Sequence, residues 1–390
     1  MRGEEDDTDG RKKAQKAQNG MKEFFLADDL SGALDAGAAF FRAGRRVRTV
    51  LEGELPNVWG DEVVGVTTET RNASAEAARE RVRGVLEGAR EIGARLLFKK
   101  IDSTMRGPVA AELGALLAAM PETRVLFSPA NPAAGRTVRD GVLYVRGVPV
   151  SETEFARDPV WPVRASELNE LLGKAASERV TIADAETQED LERAVTEMRT
   201  RGGDWVAVGS GALAAAVAGK RIRNENVRGV GAGRVLVVCG SGHPLNRVQA
   251  ERLRSERGVG VREVRLRGGG TAPPSEMDEG GVLMIEAARG ESAAALRVIV
   301  SAATETIERK RVRKIFVTGG ETAFALCREL GVRELELIDE IEAGVCVSEA
   351  ERGGERMWIA VKPGGFGDEN TWVRVWDWLG EKSRGRFDLH

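Results

Sequence analysis

The sequence predicts an α/β protein of two domains, each a largely parallel sheet flanked by helices, and three observations carry that expectation. Short β-branched or apolar runs alternate with longer amphipathic ones along most of the chain, the pattern of repeated βα units. At 390 residues the chain is longer than one compact core usually holds. A polar, glycine-rich and aperiodic stretch at 221–233 interrupts the alternation and reads as a linker. The expected organisation is a charged, disordered extension at 1–20, a first domain at 21–228 and a second at 229–390. The extension carries no apolar core of a signal peptide.

Taken in order, the first strand is the run Phe24-Phe25-Leu26, which ends abruptly in Asp28, Asp29 and a helix start at Leu30-Ser31-Gly32. Further strands are expected at 47–51, 62–67, 96–101, 125–127, 180–183 and 205–208, where β-branched and apolar residues cluster. Between them, 75–92, 109–120, 165–176 and 191–201 repeat apolar residues every three or four positions and have the length of crossover helices. A second set of units begins at 235–239 and continues through 282–286, 315–317 and 358–361. Residues 267–281, with Gly268-Gly269-Gly270 and Pro273-Pro274, read as an exposed loop. Trp372, Trp376 and Trp378 recur at helical spacing and should pack a C-terminal helix.

Composition narrows the chemistry. A formal charge of -3 with dispersed arginine gives no basis for a nucleic acid or membrane partner. The longest apolar runs fall far short of the roughly 18 residues that span a bilayer. Cys239, Cys327 and Cys346 lack metal-ligand spacing, which points to a reducing compartment, the cytoplasm by default. Cys239, at a strand end, reads as a small buried hydrophobe. Two histidines, His243 and His390, leave little material for a catalytic triad or a histidine metal centre. Catalysis must then rest on carboxylates, lysine, arginine and backbone amides, and no metal-ligand set can be read.

In the first domain, Asp28 and Asp29, Arg71, and the run Lys100-Ile101-Asp102-Ser103 with Arg106 all follow predicted strands. Ligands of open α/β sheets sit at the carboxyl ends of the strands, so a doubly wound sheet would collect these groups. Arg71 and Arg106 can clamp a carboxylate, Lys100 adds a point charge, and an aspartate can accept a hydroxyl proton. The second domain offers three glycine-rich corners after strands: Gly240-Ser241-Gly242-His243, Thr318-Gly319-Gly320-Glu321-Thr322 and Lys362-Pro363-Gly364-Gly365-Phe366-Gly367. Glycine permits close backbone approach, and the helix starts that follow present unpaired N–H groups to phosphate oxygens. There is no G-x-x-x-x-G-K-[ST], no G-x-G-x-x-G opening a helix and no protein-kinase motif.

Six motifs in order resemble the four-carbon acid sugar kinase family, over about residues 21 to 379. They are Ala27-Asp28-Asp29-Leu30-Ser31-Gly32-Ala33, Lys99-Lys100-Ile101-Asp102-Ser103-Thr104-Met105-Arg106-Gly107, Pro132-Ala133-Ala134-Gly135-Arg136-Thr137, Glu152-Thr153-Glu154-Phe155-Ala156-Arg157-Asp158-Pro159, Thr318-Gly319-Gly320-Glu321-Thr322-Ala323, and Lys362-Pro363-Gly364-Gly365-Phe366-Gly367. The family includes D-threonate, D-erythronate and 3-oxo-tetronate kinases. The resemblance implies an N-terminal domain for the sugar acid, a C-terminal domain for ATP, and an active-site cleft between them.

It further implies ATP and Mg2+ as cofactors and transfer of a phosphoryl group to a hydroxyl of a four-carbon acid. Substrate contacts would be Asp28, Arg71, Lys100, Ile101, Asp102, Ser103 and Arg106. Asp28 or Asp29 first, and Asp102 second, would orient or deprotonate the hydroxyl. ATP contacts would be Ser241, Gly319, Gly320, Glu321, Thr322, Gly364 and Gly365. Many relatives have a small hydroxyl residue where this chain has His243, which reads here as a helix-start residue facing solvent. Arg157 and Asp158 read as an ion pair beneath a loop or as functional groups, with neither reading preferred. A homo-oligomer is compatible with the sequence. Two alternatives share the fold class: an NAD-linked sugar-acid dehydrogenase, disfavoured by the missing dinucleotide fingerprint, and a non-catalytic sugar-acid sensor, which would bind ligand without ATP turnover.

Overall fold

The computed structural model describes residues 21–52, 55–56, 59–220, 222, 230, 233–264, 280–285 and 292–380. The extension at 1–20, the boundary at 228, most of the linker at 221–233 and nearly all of the loop at 267–281 lie outside the described residues. Gly280 and Gly281, expected in that loop, open a strand instead.

The chain forms two compact units, Met1–Leu26 with Arg45–Val217, and Ala27–Gly44 with Ala218–His390. It therefore leaves the first unit after one strand, contributes a single helix to the second, and returns.

The first unit contains β1 (Glu23–Ala27), β2 (Val47–Val50), β3 (Val63–Thr67), β4 (Arg95–Lys100), β5 (Arg124–Ser128), β6 (Arg136–Arg139), β7 (Val142–Val145), β8 (Val148–Pro149), β9 (Val180–Ile182) and β10 (Trp205–Gly209). Its main sheet runs β2-β3-β1-β4-β10-β5-β9. The pairs β2–β3, β4–β10, β10–β5 and β5–β9 are parallel. Every residue of β3 is buried, as are Phe24 to Ala27 of β1, as expected of strands covered on both faces.

The helix Ala75–Glu91 starts at Ser74, whose hydroxyl accepts from the Ala77 N–H, and buries Ala78, Val82, Val85, Leu86 and Ala89 along one face. The helix Val109–Ala119 is apolar almost all round, and residues on every side of it are buried. The helix Gln188–Arg201 is opened by a capping box between Thr187 and Asp190. The helix expected at 165–176 is shorter, covering Leu168–Leu172 and followed by a 3-10 turn, because Gly173 adopts φ +51° and ends it. A small antiparallel sheet, β6-β7-β8, was not anticipated. Its first hairpin turns on Asp140 and Gly141, both at positive φ, the arrangement that suits a two-residue hairpin loop.

The second unit begins with the helix Leu30–Arg42 and continues with β11 (Val235–Cys239), β12 (Val261–Val264), β13 (Gly280–Ile285), β14 (Lys314–Thr318), β15 (Glu334–Glu342), β16 (Val345–Arg352) and β17 (Glu355–Lys362). The strands run β12-β13-β11-β14-β17-β16-β15. They are parallel from β12 to β17 and antiparallel from β17 to β15. The C-terminal helix Thr371–Gly380 buries Trp372 completely, with its ring edge-on to Phe316 at 5.8 Å, as the tryptophan spacing predicts.

Both sheets share one permutation: β2-β3-β1-β4 in the first unit is matched by β12-β13-β11-β14 in the second. In each, successive connections reverse direction beside the first strand, creating a switch point where ligands of open α/β sheets bind. Among the described residues, no helix is long and apolar enough to cross a membrane.

Candidate active site

In the first unit, the loop after β4 folds over its own acid. Arg106 Nε and Nη2 bind Asp102 Oδ2 and Oδ1 at 2.9 and 3.0 Å, and the Thr104 hydroxyl donates to Oδ2. Burial alone would push the Asp102 carboxyl up. The charges of Arg106 and Arg71, with hydrogen bonds from Arg106 and Thr104, outweigh it and hold Asp102 well below the usual carboxylate range. Asp102 raises the Arg106 guanidinium in return.

Gly107, at φ +93°, lets this loop press against Arg71: a Cβ there would stand 3.1 Å from the Arg71 carbonyl oxygen. Lys100 is buried and its Nζ donates to the Ile101 carbonyl at 3.2 Å. Ile101 is buried, Ser103 is half-buried, and the Ile101 N–H bonds Gly209 on β10.

Three groups around this loop lay outside the site expected from sequence. Arg136, at the start of β6, is electrostatically close to both Asp102 and Arg106, and burial pulls its guanidinium down. Its Nη1 donates to the Ala134 carbonyl, while its Nε is buried with no partner among the described residues. Phe155 places its ring 5.3 Å from the Arg106 guanidinium carbon, and Asp158 Oδ2 lies 3.8 Å from Arg106 Nη1. Asp158 thus pairs with Arg106, not with its neighbour Arg157. Beneath the loop, Lys99 and Glu112 form a fully buried ion pair at 2.9 Å, and Glu112 also accepts from Thr70.

In the second unit, the three glycine corners converge. A Cβ at Gly240 would collide with Thr322, one at Gly364 with the Ser241 hydroxyl, and one at Gly365 would meet the His243 ring at 3.0 Å. Gly319 lies 3.6 Å from Ser241 by the same measure, and Glu321 is exposed on the first turn of the helix Gly320–Glu329. His243, though exposed, therefore lies over Gly365, and its Nδ1 accepts from the Leu245 N–H. Cys239 is wholly buried, as read, and accepts from the Thr318 hydroxyl.

The first acid motif joins this group. Asp29 caps the helix Leu30–Arg42, with Oδ1 accepting from Gly32 N–H at 2.6 Å and Oδ2 from the Ser31 hydroxyl at 2.8 Å. A Cβ at Gly320 would stand 3.2 Å from that same Oδ2. Asp28, at the C-terminal side of β1, is 2% exposed. Lys362, whose motif was singled out without a role for the lysine itself, is buried among these corners.

A family described as sugar-binding N-terminal domain matches residues 24–181, and one described as nucleotide-binding C-terminal domain matches residues 271–372. A D-threonate kinase of Bordetella bronchiseptica is 33% identical to this chain, covering 90% of it and 95% of the relative. The chain belongs to the four-carbon acid sugar kinase family. A second member of the four-carbon acid sugar kinases, the 3-oxo-tetronate kinase of Methylobacterium radiotolerans, is 28% identical over 91% of this chain and 98% of its own. A crystal structure of a Haemophilus influenzae protein shares the fold, with a TM-score of 0.68 and 20% identity over 91% of this chain and all of that one.

In this four-carbon acid sugar kinase, Arg71, Lys100, Asp102, Arg106 and Arg136 fall within the sugar-binding match, and the corners at 319–322 and 363–366 within the nucleotide-binding match. Asp28 and Asp29 fall within the sugar-binding match by sequence, yet Ala27–Gly44 packs with the second unit. Arg136 and Lys362 both stand inside motifs visible in the sequence. What marks them is tertiary: an unpartnered buried Nε in one case and a buried ammonium in the other.

Proposed function

We propose that this chain is an ATP-dependent kinase that phosphorylates a hydroxyl of a four-carbon sugar acid of the threonate, erythronate or 3-oxo-tetronate type. The observation that carries the reading is the approach of Asp29 to Gly320, which sets a carboxylate of the acid motif beside a helix start suited to phosphate. The kinase names of the relatives support the same reaction class, and nothing favours the dehydrogenase or sensor alternatives.

In this reading the backbone amides of Gly319, Gly320, Glu321, Thr322, Gly364 and Gly365, with Ser241, hold the triphosphate. Arg71, Arg136, Lys100 and the Ile101 to Ser103 backbone and side chains hold the sugar acid, and Arg106 is kept in place by Asp102. The acceptor oxygen attacks the γ-phosphorus, the bond to the β–γ bridging oxygen breaks, ADP leaves, and the hydroxyl proton passes to Asp28 or Asp29. Mg2+, when bound, would neutralise charge on the phosphates. The Asp29 carboxylate, beside the Gly320 helix start, would hold it, which fits an ion that takes one or two protein carboxylates and most of its ligands from phosphate and water.

The test is ADP release from Mg-ATP with D-threonate, L-threonate, D-erythronate, L-erythronate and 3-oxo-tetronate, using five- and six-carbon aldonates as controls. Turnover confined to a four-carbon acid supports the reading and identifies the substrate. Turnover with none of the five rejects it.

A further inference from the structure

We infer that Lys362 is the positioning residue of the nucleotide site, tying the three glycine corners together and turning the amides of Gly364 and Gly365 outward. The inference rests on reading those corners as the nucleotide site.

One residue touches all three corners. The Lys362 carbonyl accepts from Gly319 N–H at 2.8 Å, which anchors the corner after β14. Its Nζ donates to the carbonyls of Pro363, Gly364 and Phe366 at 3.2, 2.9 and 3.1 Å, which shapes the corner after β17. The same Nζ reaches Asn246 Oδ1 at 3.1 Å, and Asn246 Nδ2 donates to the Ser241 carbonyl at 3.2 Å, which reaches the corner after β11.

The carbonyl pattern fixes the amides. In a trans peptide the C=O and the next N–H point in opposite directions. With the Pro363 and Gly364 carbonyls drawn to Nζ, the N–H groups of Gly364 and Gly365 must face away from it. These are the two glycines that the sequence resemblance assigns to ATP.

Among the described residues no carboxylate pairs directly with Lys362: the side chain is fully buried, and its hydrogen bonds there go to neutral oxygens. The titratable groups that act on it are Cys239, at the end of β11, and Glu342, at the end of β15. Glu342 is already bound by Arg374, whose Nε lies 2.6 Å from its Oε2. Burial pushes the Cys239 thiol up, which keeps it neutral in the range that matters here. Burial pulls the Lys362 ammonium down to about 8. An anionic nucleotide near it favours the charged form, so binding at pH 8 to 9 takes up protons.

The experiment is calorimetry of MgADP binding to the full chain at pH 8.5, in buffers of different ionisation enthalpy. The expected result is net proton uptake, which persists in His243→Asn and is abolished in Lys362→Met. Lys362→Met should bind MgADP about ten- to a hundredfold more weakly, with the KM for the sugar acid unchanged. Lys362→Gln, which restores donors without charge, should regain part of the affinity and none of the uptake. An affinity of Lys362→Met within twofold of the parent overturns the inference. Should that variant not fold, absence of buffer dependence in the parent overturns it. A parent that binds no MgADP overturns the nucleotide reading as well, whereas tight binding without these signatures overturns the role of Lys362 alone.

Discussion

Arg106 grips Asp102 through two parallel contacts, Nε to Oδ2 at 2.9 Å and Nη2 to Oδ1 at 3.0 Å. The pair locks the orientation of a guanidinium that would otherwise sample many rotamers, and Phe155 and Asp158 hold its other faces. A carboxylate so engaged is a poor proton acceptor and a good anchor. Asp102, the second candidate for proton transfer by sequence, is better suited to holding Arg106.

The depressed native pKa of Asp102 makes stability depend on acid. Its contribution is fully present above the unfolded-state pKa of about 3.9 and is lost as pH falls toward the lower folded value. Thermal melts of the parent should therefore fall off below about pH 4, and Asp102→Asn should flatten that limb while costing about 2 kcal/mol at pH 7. An unchanged acid limb in the variant would remove Asp102 from the account.

Asp29 offers a way to separate folding from chemistry. Asn is as good a helix cap as Asp, so Asp29→Asn should leave the melting temperature nearly unchanged, whereas Asp29→Ala should cost about 1 kcal/mol. If Asp29 accepts the proton, turnover of Asp29→Asn should drop about 10² to 10⁴-fold despite the intact cap; if Asp28 does, Asp28→Asn should show that loss instead. Undiminished turnover in both would rule out either as the acceptor.

Arg136 should read the acid group of the substrate. Its buried Nε lacks a partner among the described residues, beside a loop where Arg71 and Arg106 already concentrate positive charge. Loss of a charged hydrogen bond of this kind is worth about 1.5 to 3 kcal/mol, so Arg136→Met should raise the KM for the sugar acid about ten- to a hundredfold and leave that for ATP unchanged. Arg71→Met should behave alike. Steady-state kinetics with each substrate varied in turn would show it, and a loss confined to ATP would contradict the assignment.

Gly364→Ala should damage the nucleotide corner sterically. The new methyl would collide with the Ser241 hydroxyl but stand 3.1 Å from the Ser241 Cβ, a contact that a small shift relieves. MgADP affinity should fall in Gly364→Ala and recover in part in Gly364→Ala with Ser241→Ala. Simple additivity of the two losses would show that the residues do not meet as described.

Much of the fold follows from local patterns. The strands β1, β3, β5, β10, β11 and β14 are continuous apolar runs, and a chain that must bury both faces of a sheet has few other ways to write them. β15 does not stand out in the sequence because ELELIDEIE carries five acidic residues in nine positions. It nevertheless pairs antiparallel with β16, and in antiparallel pairing one face need not be apolar. The hairpins that deliver Arg136 had a local signal in Asp140-Gly141, but neither flanking strand is long enough to stand out.

What the sequence determined by itself was the alternation of elements, the acid motif at the end of β1, the Lys-Ile-Asp-Ser loop and the three glycine corners, because turns, caps and strand ends are set by neighbours along the chain. Tertiary structure decided the rest. Only the strand order β11-β14-β17 brings the corners after those strands together, and only packing places Asp29 against Gly320, Arg136 beside Asp102 and Lys362 against Gly319 and Asn246. These pairings join residues far apart in sequence, where no spacing rule reaches and only the burial of charge and the direction of each hydrogen bond select the partner.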